Sequence, residues 1–437
     1  MAQKIGISLL GCGTVGTEVA RRLLDADGAL AARTGLQFDI RQVIVRDSSK
    51  DRGLALPADR FVTDPAAVFA DGDTQIVVEL MGGVDRAKEM TLAALAAGKD
   101  VVTANKALLA ECGSEIFAAA RKTGRCVAFE GSVAGGIPLI ESVRRGLIGN
   151  RIDAVYGILN GTCNYILTRM LDNSASYAHA LTEAQQLGFA EADPTLDVEG
   201  IDTAHKLSIL ASIAMRRACE FNRISVAGIS NIELIDLTAG RELGYACKLL
   251  AIARRHDDGI DLSVCPTFVR HSHPLAGVSG PFNAVSLYGD AVGHVMLYGR
   301  WAGGAPTASA VISDIVDVAI GNARRTFEQL VVLPDQAAPA DYRAPGENVT
   351  AFYLRVSLRD RPGSIGKVST GLGEQGISIA SLIQHEPDPD PAQANGAVPV
   401  IITTRSAKQA AMSKALDAMT KLEPVAARPV CIPLIGD

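Results

Sequence analysis

Among the eight cysteines (Cys12, Cys112, Cys126, Cys163, Cys219, Cys247, Cys265 and Cys431) there is no C-x-x-C pair. Their scatter argues against a zinc cluster and against a disulfide framework, and it fits a reducing compartment. A surplus of positive charge is also missing, since 42 Lys and Arg stand against 48 Asp and Glu, for a net charge of −6. That balance gives no electrostatic case for nucleic acid or for an anionic membrane surface, so neither is expected as a partner. No continuous apolar run approaches the ~20 residues needed to span a bilayer. The first strand pattern starts without the charged segment, apolar run and cleavage site of a signal peptide. A cytoplasmic protein is the expectation.

What remains is the composition of an ordinary globular chain, 48% hydrophobic and 21% charged. At 437 residues it is too long for one core, and two or three domains follow. Residues 4–16 read KIGISLLGCGTVG, a short apolar strand ending in Gly11, Gly13 and Gly16. Residues 17–24 continue as an amphipathic helix. In that context the glycines permit a tight turn, and the helix N-terminus faces a dinucleotide pyrophosphate. The second strand, residues 38–45, ends at Arg46 and Asp47. An acidic residue there selects a ribose hydroxyl, whereas an arginine holds a 2′-phosphate. Both are present, with Arg46 first, which favours NADP(H) over NAD(H). Strand and helix patterns alternate onward through residues 75–80, 86–97, 100–103, 107–122 and 125–129, as in a parallel sheet with crossover helices. Ligands sit beyond the carboxyl ends of such strands, and the Thr103–Lys106 turn falls at one of them.

From Gly135 the pattern changes. A helix over 138–147, a strand over 152–159 and the segment Asn160-Gly161-Thr162-Cys163-Asn164 precede further helices. Strand patterns at 245–254, 262–269, 284–288 and 294–298 imply a mixed sheet. A helix with proline in its first turn covers 306–320, and the stretch 333–346, rich in proline and alanine, reads as a linker. Beyond it the order strand, helix, strand, strand, helix, strand describes a ferredoxin-like sandwich. The expected division is 1–134 for nucleotide binding, with helix 306–330 packing back on it. It continues with 135–330 as a second domain, 331–349 as linker and 350–437 as the terminal domain.

Residues 191–206, EADPTLDVEGIDTAHK, are the most unusual stretch. Five carboxylates (Glu191, Asp193, Asp197, Glu199, Asp202) precede one lysine. The pattern turns helical after Gly200, which puts Asp202 and Lys206 one turn apart on one face. A solvated ion pair is the plain reading. The sharper one is a site where carboxylates hold a cationic group and the lysine moves a proton.

Taken together, GCGTVG, ELMGG (79–83), TANK (103–106), FEGSVAGGIP (129–138), NGTCNYI (160–166), GFAEADP (188–194), GIDTAHK (200–206) and PTASAV (306–311) resemble a homoserine dehydrogenase of the long form. The tail resembles an ACT domain through RDRPGSIGKVSTGLGEQGISI (359–379). The resemblance implies an α/β chain with a Rossmann-type domain, an α+β catalytic and dimerisation domain, and a ferredoxin-like ACT domain. It implies NAD(P)H-dependent interconversion of L-aspartate 4-semialdehyde and L-homoserine, on the route to threonine and methionine, by a homodimer or homotetramer. Lys206 is then the proton donor, helped by Lys106, and Glu191, Asp197 and Asp202 bind the substrate. Gly11, Gly13, Thr14, Val15, Gly16, Arg46, Thr103, Lys106 and Gly303 surround the cofactor. The Glu130 side chain and the main chain of Val133, Gly135 and Ile137 match a monovalent-cation site, whose oxygen donors suit sodium. Threonine is the implied effector of the ACT domain, with its carboxylate at the Asp360–Ser364 turn. One departure is Trp301, the sole tryptophan, where the family carries a glycine-rich segment.

Two other readings compete. An acylating semialdehyde dehydrogenase would use Cys163 as its nucleophile. A non-catalytic sensor would bind nucleotide and amino acid and report to a partner.

Overall fold

Within β1 (Gln3–Leu10) every residue from Ile5 onward is buried on both faces, as a strand covered by helices on each side requires. In this computed structural model, which describes residues 3–25, 27–300, 303–384 and 397–436, β1 is central to a parallel sheet. Its companions are β2 (Leu36–Ile44), β3 (Phe61–Val62), β4 (Ile76–Glu79), β5 (Asp100–Thr103) and β6 (Val127–Ala128). The order is β3-β2-β1-β4-β5-β6. β1 and β4 run parallel, and the order in which strands are added reverses between them, so the crevice for a ligand opens beyond the carboxyl ends of those two strands. The Gly304–Ala319 helix closes on the Thr14–Leu24 helix there. A Cβ on Gly304 would stand 3.0 Å from the Thr14 carbonyl oxygen, so glycine eases this approach.

The second sheet comprises β7 (Ile152–Ile158), β8 (Ser225–Val226), β9 (Tyr245–His256), β10 (Gly259–Arg270), β11 (Phe282–Gly289) and β12 (Gly293–Arg300). It continues into β13 (Val349–Arg359), β14 (Ile379–Gln384), β15 (Ala397–Thr404), β16 (Ala407–Lys408) and β17 (Val430–Ile435). Its main path is β12-β11-β7-β9-β10-β17-β13-β15-β14. The C-terminal βαββαβ unit therefore extends the central sheet, through parallel pairing of Phe268–Val269 with Leu434–Ile435. Arg355 Nε and Tyr353 Oη of β13 both donate to Asp236 Oδ1, at 2.8 and 3.0 Å. Asp236 lies in the first turn of the Leu234–Glu242 helix and is fully buried. Removing one partner of such a buried pair costs about 3–5 kcal/mol, so this contact ties the terminal unit firmly to the rest.

Two elements differ from the sequence expectation. The helix expected over 138–147 is a single turn, Leu139–Glu141, followed by a wider π-type turn, Ser142–Gly146. Leu147 N donates to Ser142 O at 2.7 Å, and Gly146 and Gly149 weaken any continuation. The 333–346 stretch is not a loose tether, for Pro339 bridges to Ala218 and Tyr342 to Ile260. Its proline-rich composition hides this, because the contact depends on Gly259, where a Cβ would meet the Asp341 carbonyl oxygen at 2.8 Å. No single helix among the described residues is long and apolar enough to cross a membrane.

Candidate active site

The three glycines after β1 have different tasks. Gly11 has φ +101°, and a Cβ there would lie 2.8 Å from the Leu80 carbonyl oxygen. A Cβ on Gly16 would come within 2.5 Å of Gly11 O, so this glycine lets the helix start against the turn. Gly13 faces open space, as a position that a pyrophosphate approaches should. Thr14 and Val15 form the first turn of the Thr14–Leu24 helix, and Gly303 (φ +118°) caps the Gly304–Ala319 helix beside it. The residues in hand thus fit a dinucleotide. Past β2, Arg46 is exposed. The Asp47 carboxylate instead accepts from its own loop, Ser49 N at 2.9 Å and Ser49 Oγ at 2.6 Å.

The ends of β4 and β5 are knitted by Glu79. Thr103 Oγ1 donates to Glu79 Oε2 (2.7 Å) and Met81 N to Oε1 (2.8 Å). Asn105 Nδ2 donates to Gly83 O (2.7 Å), while its Oδ1 caps the next helix through Leu108 N (3.2 Å). Lys106 is the first residue of that helix, Lys106–Thr123. The cap fixes the helix start, and the helix start fixes Lys106.

Lys106 points at the acidic stretch. Asp202 opens the Ile201–Met215 helix and is 4% exposed, while Lys206, one turn on, is 0% exposed. Lys206 donates to Asp202 Oδ2 and to the Leu159 carbonyl (3.0 Å). Lys106 makes a close ion contact with Asp202 Oδ1, off the angle of a hydrogen bond. One buried carboxylate therefore serves two lysines, one from each sheet region. Gly200 (φ +83°) makes the helix start possible, since a Cβ would press on Val264 at 3.1 Å.

The electrostatics follow from that sharing. Burial, and then the neighbouring Lys106 charge, outweigh Asp202 and push Lys206 down to about 7. Burial opposes the charge on Lys106 too, yet Asp202, Asp197 and Glu191 hold its pKa above the ordinary lysine value. Burial alone would raise Asp202, but two lysines reverse that and keep it ionised. Two ammonium groups on one anion make one proton easy to lose near neutrality, which is what proton transfer at pH 7 requires.

The other carboxylates of the stretch are sorted by their contacts. Asp197 accepts from Asn160 Nδ2 at 2.8 Å, and burial beside Asp202 raises its pKa. Glu191 is exposed near Lys106, whose charge it supports. Asp193 accepts from Thr195 N and Oγ1 within its own turn, and Glu199 accepts from Ser230 Oγ. Sequence reasoning did not single out Asn160 or Glu79. The position of Asn160 just before a helix was the visible signal, though only for capping.

Glu130 is buried, and both carboxylate oxygens accept backbone N–H groups, from Ile140 (2.9 Å) and Glu141 (2.8 Å). Burial pushes its pKa up to about 7, and it raises the adjacent Asp314 well above the ordinary range. Val133, Gly135 and Ile137 are buried on a turn in which Ala134 (φ +62°) and Gly135 (φ +56°) are left-handed. Cys163 is fully buried, its thiol donates to Asp197 O (3.2 Å), and burial raises its pKa well above the usual thiol value. That is the opposite of an activated nucleophile, and the acylating reading is not favoured. Trp301 lies outside the described residues.

Comparison with known proteins agrees with this geometry. A family model described as "Homoserine dehydrogenase" matches residues 138–316. One described as "Homoserine dehydrogenase, NAD binding domain" matches 11–130, and one described as "ACT domain" matches 352–421. The chain is 39% identical to a homoserine dehydrogenase of Synechocystis sp. over 100% of both chains. It is 42% identical to that of Neisseria gonorrhoeae, covering 87% of this chain and 88% of the other. The crystal structure of a homoserine dehydrogenase from Thiobacillus denitrificans superposes with a TM-score of 0.90 at 40% identity, over 99% and 98% of the two chains. A hyperthermophilic archaeal homoserine dehydrogenase in complex with NADPH gives 0.62 at 26% identity, over 73% of this chain and 98% of the other. With a nucleotide turn, a two-lysine carboxylate and these relatives in one chain, the protein belongs to the homoserine dehydrogenase family, NAD(P)-dependent oxidoreductases that interconvert L-aspartate 4-semialdehyde and L-homoserine.

Proposed function

We propose that Lys206 donates the proton to the aldehyde oxygen during reduction and receives it from the hydroxyl of homoserine during oxidation. The observation that supports this reading is a fully buried lysine whose carboxylate partner is shared with a second lysine. When bound, the nicotinamide supplies the hydride. Lys106, half-exposed at the end of β5, meets substrate and cofactor and keeps Asp202 ionised for Lys206. Asp197 and Glu191, with Asp202 behind them, attract the α-ammonium group of the amino acid. Oxidation of NADPH by L-aspartate 4-semialdehyde, compared with NADH, tests the catalytic reading. No turnover with either would favour a nucleotide sensor.

The cofactor reading is NADP(H), resting on the exposed Arg46 and on an Asp47 carboxylate occupied by Ser49. Losing an arginine–phosphate pair costs about 1.5–3 kcal/mol, some tenfold to a hundredfold. Arg46→Ala should raise KM for NADPH by that factor and leave KM for NADH unchanged. Equal losses with both would make Arg46 structural.

The Glu130 turn is read as a sodium site. Two buried carboxylates stand beside Arg144 as counter-charge, the donors are hard oxygens, and the Glu130 oxygens keep lone pairs to spare. Because burial holds Glu130 near pH 7, protons compete with the ion below that pH. Sodium affinity, followed as a thermal shift, should fall about tenfold per unit below pH 7 and level off above it. A pH-independent response, or one retained in Glu130→Gln, would remove this reading.

The ACT unit is read as the seat of amino-acid regulation, with threonine as first effector, in a cytoplasmic homodimer or homotetramer. Gly363 (φ +86°) caps the Ser364–Glu374 helix behind the Asp360–Ser364 turn. Threonine at millimolar concentration should inhibit the enzyme and bind by calorimetry; neither effect would leave the unit an assembly element.

A further inference from the structure

Asp202 spends both of its oxygens on lysines, Oδ1 on Lys106 and Oδ2 on Lys206. Asp197, half-buried nearby, has a neutral partner instead. Asn160 Nδ2 donates one hydrogen to Asp197 Oδ1 (2.8 Å) and the other to Asp202 Oδ2 (3.0 Å). The third group of the same carboxamide, Oδ1, accepts from Cys163 N (2.8 Å) and caps the Gly161–Asp172 helix. At 2% exposure every polar atom of Asn160 side chain is used. A helix cap needs only an acceptor, and serine or aspartate serves about as well as asparagine. Two donor hydrogens on one nitrogen are what capping does not require. They do match two carboxylates that would otherwise repel.

We propose that Asn160 is a positioning residue for substrate recognition, holding Asp197 against Asp202 so that Asp197 is the carboxylate that meets the α-ammonium group. This rests on the reading that the acidic stretch binds the amino-acid end of the substrate. Asp202, already neutralised by two lysines, has little charge left for a third cation. Asp197 forms no lysine ion pair among the described residues, although Lys206 and Lys106 lower its pKa from farther away, so the substrate brings its contacting counter-charge. The thiol of Cys163, donating to Asp197 O at 3.2 Å, fixes the same residue through its backbone. Hydrogen bonding from Asn160 also favours the charged form of Asp197, against burial and Asp202.

The test compares Asn160→Ser with Asn160→Asp. Both keep an acceptor for Cys163 N, and neither can donate to two carboxylates. The expected result is a KM for homoserine raised tenfold or more, with a smaller change in kcat and an unchanged Kd for NADPH. Below the Lys206 break near pH 7, the second, lower break of the acid limb of kcat/KM for homoserine should move to higher pH, because Asp197 loses a bond to its charged form. Asn160→Asp should move both readouts further, since it adds a like charge. A KM within twofold and an unmoved acid limb, whether or not Tm falls, would make Asn160 a helix cap only. Asp197→Asn separates the two levels. If it leaves KM for homoserine unchanged, the ammonium reading itself fails. If it raises KM while the Asn160 variants do not, the failure belongs to Asn160 alone.

Discussion

Lys206→Ala is expected to lower kcat in both directions by about two orders of magnitude or more, the size of a general acid–base contribution. NAD(P)H binding should survive, because the nucleotide turn at Gly11, Gly13 and Gly16 follows β1 of the other sheet. Folding should survive as well. Asp202 retains Lys106 as its counter-ion, and the lost group is a lysine that burial already drives toward its neutral form. A rival assignment gives the proton work to Lys106. Its pKa is held high by Asp202, Asp197 and Glu191, and it is 41% exposed. Such a lysine is a steady cation rather than a proton shuttle. A folded Lys206→Ala enzyme that turns over within a few-fold of the parent would transfer the role to Lys106.

Asp202→Asn should be at least as damaging, for a different reason. The substitution preserves shape but leaves two lysines facing each other without the anion they share. Breaking one side of a buried ion pair typically costs about 3–5 kcal/mol. Loss of the anion lowers the Lys206 pKa from about 7, and the lysine escapes part of that cost by losing its proton. Reduction of the semialdehyde, which needs the proton on Lys206, should then lose about 10²–10⁴-fold at neutral pH. Homoserine oxidation, which needs the neutral amine, should lose less in kcat, while kcat/KM falls equally in the two directions because the reaction's equilibrium constant is unchanged. That asymmetry in kcat between directions is the signature to look for at saturating substrate. Equal losses, with substrate KM raised in proportion, would make Asp202 a substrate-binding group first.

Much of this was legible in the sequence because it is local. The strand, glycine turn and helix of 4–24 follow from apolar periodicity and from backbone freedom at three positions. The i,i+4 spacing of Asp202 and Lys206 places them together without any tertiary information. The Ser364–Glu374 helix and the βαββαβ order of the tail are equally local. The sorting of the five carboxylates came from the family resemblance and was not legible in the residue pattern itself. Asp193 and Glu199 look the same as Asp197 in sequence, and only contacts with Thr195, Ser230 and Asn160 separate them. The union of the tail with the central sheet was hidden for the same reason, since Phe268–Val269 and Leu434–Ile435 pair across more than a third of the chain. Asn160 shows the limit most clearly. Its capping role is visible from its place before a helix, whereas its two carboxylate partners lie 37 and 42 residues away.

The account turns on the proton held by Lys206, so its pH dependence is the direct measurement. Single-turnover hydride transfer should be followed from pH 5.5 to 9 in both directions, for the parent and for Lys206→Ala. Burial places Lys206 near pH 7. Reduction should therefore slow as pH rises through about 7, and oxidation should quicken over the same interval, each approaching tenfold per unit beyond the midpoint. In Lys206→Ala the break near pH 7 should disappear from both directions, leaving only the one-proton dependence that the reaction's own stoichiometry imposes on their ratio. If the variant keeps the parent's pH profile in either direction, the titrating group is not Lys206 and the assignment is wrong.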